Sequence, residues 1–259
     1  MASSEIEMLK QIYQKQVAYA EAHGGNLGGM AYLQTKFEID ITIERQIRVV
    51  DMFAEKIRGR VLEWGCQHGF DSCLLRIRFG DAVELFGCDI VPTQTYKPFQ
   101  EFSGMKYKYL DHPYRLDYPT DFFDVVTSNG VLEHVPNELE SLKEIYRILK
   151  PGGTFVLTCL PNRYSYTEAV QRRRGLGHDR LYSMGAAREL LNRQGFRLVR
   201  TAYFFMIPTM LIGFPKGLQR AYQKVMGRVS WTVNDFLEWL WPVNRMASNL
   251  MLIADKPQY

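Results

Sequence analysis

The chain has 259 residues, 46% of them hydrophobic and 23% charged, with a formal net charge of +4. That length and balance fit one large folded domain or one domain with an appendage, and exclude a chain dominated by disorder. The charge is too small for a dedicated nucleic-acid binder, and the four cysteines (Cys66, Cys73, Cys88, Cys159) form no C-x-x-C pair and no disulfide framework, which leads us to expect a reducing, cytoplasmic setting.

The first sixteen residues carry early acids and no uninterrupted apolar core, so no signal peptide is expected. Ile6, Leu9, Ile12, Tyr13, Gln16, Val17 and Ala20 recur at helical spacing and predict an amphipathic helix. HGGNLGG at 23–29 reads as a hinge or loop, and a second helical stripe runs from about Ile43 to Ile57 before Gly59 stops it. Alternation follows. Strands are expected at 61–64, 83–88, 107–110, 123–127, 154–159 and 196–203, with helices at 138–153 and 183–196 between later ones. Lys-Pro-Gly-Gly ends the first of these helices, and Ser183 is placed to cap the second. Strand and helix in this alternation imply a doubly wound, mostly parallel α/β sheet with right-handed crossovers. From Ile207 to Met246 the pattern breaks into helical pieces, and NLMLIADKP closes the chain as a last strand. The division expected is a helical cap (1–45), a core (46–203), a helical insertion or lid (204–248) and a final core strand (249–259). The longest apolar run, 202–214, is too short to span a bilayer and is broken by Pro208.

The chemistry begins at VLEWGCQHGF, where a buried strand ends in an acid and enters a turn punctuated by Gly65 and Gly69. Glycines there let backbone N–H groups approach a ligand without an intervening Cβ, and Glu63 stands ready for a cationic or hydroxyl-bearing part of it. Cys66 and Gln67 lie in the same turn and are counted with it. A second strand, LFGCD, ends in Asp89, where a carboxylate can take both hydroxyls of a ribose.

In combination these segments resemble the class I S-adenosylmethionine-dependent methyltransferases, in their small-molecule branch. VLEWGCQHG is similar to that family's first motif and GCDI to its second; YLDHPYRLDYPTDFFDVVTSNGVLEHV is similar to the third and fourth, and LKEIYRILKPGGTFVLTCLPN completes the match over about residues 45–200. The resemblance implies a Rossmann-like seven-stranded sheet and S-adenosylmethionine as cofactor. It places Asp89 on the ribose, Ile90 beside the adenine, Asp111 at the adenine amino group, His112 at its ring edge, and Ser128 and Asn129 toward the methionine. Gln67 departs from the glycine many members carry there. Its Cβ restricts the approach of the methionine carboxylate, while its amide offers a donor.

For catalysis the candidates are His178, on a loop where this branch reaches its substrate, and His134 in LEHV. His178 reads as a base or substrate ligand against a hydrogen-bonding role at a helix start, and His134 as a wall of the site against a catalytic group. His68 and His112 fall on the cofactor side, and His23 has no indicated role. Asp111, Asp117, Asp121 and Asp124 cluster in sequence, but three follow the family's loop-to-strand pattern, and no metal is expected. The expected activity is methylation of a small, partly apolar molecule, with oxygen as the leading acceptor atom. Arg172 to Arg174 are candidates to orient an acidic group on it. The aromatic 202–246 segment reads either as core or as an apolar lid or surface that meets a lipid-like substrate. An RNA methyltransferase is the nearest alternative, though no base-flipping Asn-Pro-Pro-Tyr motif is present; a nicotinamide dehydrogenase lacks its G-x-G-x-x-G, and a non-catalytic protein retaining the fold is the third.

Overall fold

A computed structural model of the chain describes residues 2–23, 36–67, 69–90, 96–112, 114–208, 211 and 214–258. The glycine-rich stretch beyond His23, and His68, lie outside them. Two helices come first, α1 (Ala2–Ala22) and α2 (Lys36–Asp51). The core follows as β1 (Gly59–Trp64), α3 (Phe70–Phe79), β2 (Val83–Asp89), α4 (Lys97–Ser103), β3 (Lys106–Tyr109), β4 (Phe123–Asn129), α5 (Glu138–Ile148) and β5 (Leu149–Pro161). The chain then runs through α6 (Tyr166–Arg173), α7 (Met184–Arg193), β6 (Arg197–Phe204), α8 (Lys216–Trp239) and β7 (Asn249–Asp255).

The seven strands form one sheet in the order β3-β2-β1-β4-β5-β7-β6. All neighbours are parallel except at β7, which runs against both β5 and β6. The near-continuous apolar runs of β1, β4 and β5 suit strands covered on both faces. On one face, Tyr13 of α1 meets Phe70 and Phe99 edge-on at 4.7 and 5.3 Å, which pins the first helix to α3 and α4. On the other, Leu142 and Ile145 of α5 and Leu191 of α7 pack against Phe123 and Phe155.

Three elements depart from the sequence expectation. The helix of 138–153 stops at Ile148, before Lys-Pro-Gly-Gly, because residues 149–153 already begin β5. Proline cannot donate to a sheet ladder, and here the pairing jumps from Phe123↔Leu149 to Val125↔Thr154 across Pro151. The second helix starts at Lys36 and ends at Asp51, and Ala54–Lys56 make a separate short 3-10 turn. The helical pieces expected after residue 207 are one long helix, α8, and a short 3-10 turn at Val243–Met246, with Pro215 at the start of the first and Pro242 at the start of the second, where proline is tolerated.

Candidate active site

β1 and β4 are neighbours at the centre of the sheet, and the strand order runs outward from them in opposite directions. The crevice outside their carboxyl ends is where such a sheet binds ligands. A cavity of about 290 Å³ lies there, between the loop after β1, the loop after β4, and α2. Gly65, Cys66 and Gln67 form one side, Asn129 and Gly130 a second, Arg45 and Gln46 a third, and Glu133, His134 and His178 close the end.

The turn after β1 is shaped by local sterics. Gly65 and Gly69 have φ of +69° and +73°, the left-handed region that favours glycine. A Cβ on Gly65 would collide with Val131, and one on Gly69 with the Met105 methyl. Gln67 takes φ +43° without being glycine, and its N–H donates to Asp89 Oδ2 at 2.5 Å. The turn is thereby tied to the end of β2, and the sequence's two acidic strand ends meet at one loop.

Glu63, predicted to receive the ligand, lines the cavity, but one of its oxygens is held by Ser72, whose N–H and Oγ donate at 3.0 and 2.5 Å at the start of α3. Burial, then the Asp71 carboxylate, raises its pKa well above the ordinary value. Asp71 is the acid with spare capacity. Its Oδ2 accepts from Asn129 Nδ2 at 3.0 Å, its Oδ1 has no hydrogen-bond partner, and burial pushes its pKa to about 6. Arg45 has no carboxylate partner among the described residues, borders Cys159, and lies 4.8 Å over the Phe205 ring.

At the far end, Glu168 holds His178 twice: Oε1 lies 2.7 Å from Nδ1, and Oε2 accepts the backbone N–H at 3.2 Å. That hydrogen bond raises the imidazole pKa, whereas burial and the neighbouring His178 lower that of His134. The two rings are 5.8 Å apart. Glu133 is 6% exposed, its Oε2 has no hydrogen-bond partner, and burial lifts its pKa to about 7. Beyond His178 a second cavity, also about 290 Å³, opens between α6 and the segment after β6, with Leu176, Phe205, Ile207 and Pro208 on its wall. Arg45, His178 and Asn249 border both.

Residues 42–201 match the family described as "Methyltransferase domain". The chain is a class I S-adenosylmethionine-dependent methyltransferase by family.

Among curated relatives, a probable S-adenosylmethionine-dependent methyltransferase of Mycolicibacterium smegmatis is 26% identical over 158 residues, 61% of this chain and 60% of that protein. The ubiquinone biosynthesis O-methyltransferase of Pseudomonas putida is 29% identical, over 48% of this chain and 55% of its own length. The match therefore spans about half the length of these relatives. A solved S-adenosylmethionine-dependent methyltransferase of Archaeoglobus fulgidus shares the fold at a TM-score of 0.58 and 22% identity, covering 88% of this chain and 97% of that one. So does a chain of the complex between the Haloferax volcanii Trm112 methyltransferase activator and a methyltransferase, at a TM-score of 0.62 and 18% identity, covering 94% and 98%.

The structure of this methyltransferase brings Glu63, Gly65, Cys66, Gln67, Asn129, His134 and His178 to one cavity, with Asp89 bonded to its rim. Gly69 caps α3 behind the turn. The others stand apart. Ser128 is fully buried and lies beneath the floor, facing away because adjacent residues of a strand alternate sides. Ile90 is 69% exposed just past β2, and Asp111 and His112 are exposed on the loop after β3, outside the cavity. His112 Nδ1 accepts the backbone N–H groups of Tyr114 and Arg115, a turn-closing role. The arginines Arg172 to Arg174 are exposed, Arg174 lying over Phe214, and none lines the cavities described. Of the clustered aspartates, Asp117 pairs with Arg115, Asp121 with Lys256 and Asp124 with Lys150, so their carboxylates are engaged in ion pairs.

Sequence reasoning missed Arg45, Asp71, Glu133 and Glu168. Asp71 stood two residues past Gly69, and Glu133 beside a nominated histidine, so both were within reach of the motif reading. Nothing in the sequence marks Glu168 as the partner of a histidine ten residues on, or Arg45 among the charges of an amphipathic helix.

Proposed function

We propose that this protein transfers the methyl group of S-adenosylmethionine to a small, partly apolar acceptor, at oxygen. The observation that carries the reading is the arrangement of the central cavity. A glycine-shaped turn and Asp89 lie on one side of it, and Glu133, His134 and His178 end it where it opens into an apolar antechamber.

In this reading the ribose hydroxyls go to Asp89, with the adenine beyond it toward exposed Ile90, Asp111 and His112. The methionine ammonium meets Asp71, and its carboxylate meets Arg45, which is half-buried and has no ion-pair partner among the described residues. The acceptor enters past Phe205, Ile207 and Pro208 and presents its hydroxyl to the Glu133, His134 and His178 wall, where the proton is lost. The oxygen then attacks the methyl carbon in line. The sulfur–carbon bond breaks with its electron pair staying on sulfur, and the products are a methyl ether and S-adenosylhomocysteine. Proximity and exclusion of water contribute most of the acceleration. Glu168 positions His178 for its part in the proton's removal.

α8 and the segment after it supply a surface consistent with such acceptors. Phe236, Trp239 and Trp241 are exposed, Trp239 by 77%, whereas Phe204, Phe205 and Met206 are core. The 202–246 segment thus contributes buried rings to the core and exposed rings to the surface. The ubiquinone biosynthesis O-methyltransferase of Pseudomonas putida and the tocopherol O-methyltransferase of Arabidopsis thaliana among the relatives favour oxygen as the acceptor atom. The test is incubation with labelled S-adenosylmethionine and a panel of phenols, carboxylic acids and prenylated rings, followed by mass spectrometry. Methyl ethers of apolar phenols are expected; methylation confined to polar amines would overturn the acceptor assignment.

A further inference from the structure

Glu133, His134 and His178 at the end of the central cavity, with Glu168 behind His178, form an arrangement that proton transfer alone does not account for. Glu133, His134 and His178 each offer one ligand atom, and these lie within 4.8 Å of one another. Glu133 is 6% exposed, and its Oε2 has no hydrogen-bond partner. A carboxylate oxygen buried without a donor is costly unless something cationic or protic meets it. His178 is gripped by Glu168 at Nδ1 and at its backbone N–H, which leaves Nε2 as the ring nitrogen available to the cavity. A carboxylate on the far nitrogen of a histidine is the outer support that fixes tautomer and ring orientation in metal-ligating imidazoles.

We propose that Glu133, His134 and His178 bind one divalent transition-metal ion of the zinc class, with Glu168 as the supporting carboxylate and an open coordination position facing the cavity. Two imidazoles and one carboxylate select zinc, cobalt or nickel over magnesium and calcium, which take oxygen ligands. Zinc–nitrogen bonds of about 2.0–2.1 Å place tetrahedral ligand atoms about 3.3 Å apart, so the trio closes around the ion. His134 is the member that moves, since its side chain is 65% exposed. The sequence-based expectation of no metal weighed only the aspartates of 111–124, whose carboxylates are in ion pairs or exposed elsewhere.

The role of the ion rests on the methyl-transfer reading; its binding does not. The acceptor hydroxyl would take the open position. With Nδ1 on Glu168 and Nε2 on the ion, His178 would act by holding the metal and not by taking the proton itself; the O–H bond would break with the proton passing to solvent, and the acceptor oxygen would attack the sulfonium methyl carbon. The cation would thus lower the pKa of an acceptor whose own hydroxyl titrates well above neutrality.

The experiment uses the full chain, stripped by dialysis against a chelator and titrated with cobalt(II), followed by visible absorption, and with zinc by equilibrium dialysis. S-adenosylmethionine binding is measured calorimetrically on the same samples. One equivalent of metal per chain is expected, lost in Glu133→Gln and His178→Ala and weakened 10- to 100-fold in Glu168→Gln. X-ray absorption of the zinc form, which needs no variant to fold, should show two imidazoles and one carboxylate. No stoichiometric metal in the wild type, binding that survives Glu133→Gln and His178→Ala, or a different ligand set would each overturn the proposal. Metal uptake without cofactor binding would refute the methyltransferase activity and leave the metal site standing; cofactor binding without metal would do the reverse.

Discussion

Asp71 and Arg45 make the residue-scale account specific, because each carries a charge whose partner would be the cofactor. Asp71 has its pKa raised by burial from 3.8 to about 6, so folding takes up a proton between those values. The sign follows from linkage: its contribution to stability is present below about pH 4 and is lost as pH rises through 6. Asp71→Asn cannot titrate. Its stability relative to the wild type should therefore rise between about pH 4 and about pH 7, by up to about 3 kcal/mol, as two pKa units convert. Denaturant melts at the two pH values check this, and an unchanged difference would contradict it. Arg45→Ala should raise the dissociation constant for S-adenosylmethionine by about 10- to 100-fold, the loss of a charge-assisted hydrogen bond of about 1.5–3 kcal/mol, as read by calorimetry. The residues legible in the sequence were those set by backbone geometry or strand ends, Gly65 and Asp89. Arg45, Glu133 and Glu168 were not, since a helix near the start of the chain, the loop after β4 and α6 become neighbours only when the sheet closes them together.

At the scale of elements, the turn between β1 and α3 and the helix α8 differ in what holds them. Gly65 combines a left-handed φ with a Cβ position filled by Val131. Gly65→Ala should cost about 1–3 kcal/mol and also shift the turn, whose Gly65 and Cys66 N–H groups donate to the Cys88 carbonyl and whose Gln67 N–H donates to Asp89, so both the melting temperature and cofactor binding should fall. The exposed rings of α8 and the segment after it predict the opposite pattern. Serine at Trp239 or Trp241 should change stability by no more than about 0.5 kcal/mol while raising KM for apolar acceptors with kcat little altered, as steady-state kinetics would show. Element positions were readable where hydrophobic period and punctuation agreed, as at β1, β2 and α7, whose Ser183 Oγ does accept the Ala186 N–H at 3.2 Å. They were misread at Lys-Pro-Gly-Gly. That run stops helices, but tertiary pairing with β4 had already drawn residues 149–153 into the sheet.

Across the whole molecule, seven strands ordered β3-β2-β1-β4-β5-β7-β6 with one antiparallel member put a reversal of strand order among the parallel strands between β1 and β4. The ligand crevice is a consequence of that topology, and the alternation of strands and helices sufficed to anticipate it. The sheet also brings α2, α6 and the segment after β6 over the crevice mouth, and these regions have no shared motif to announce it. A bound cofactor in such a position contacts several elements and favours the folded state alone. At a hundred times its dissociation constant, S-adenosylmethionine should therefore stabilise the protein by about 2.7 kcal/mol, visible as a higher melting temperature. The most direct single measurement is calorimetric titration of the wild type and of Asp89→Ala with S-adenosylmethionine. The account predicts one site per chain with a dissociation constant on the order of micromolar in the wild type and no measurable binding in the variant. Absence of binding in the wild type, or equal binding in both proteins, would contradict it.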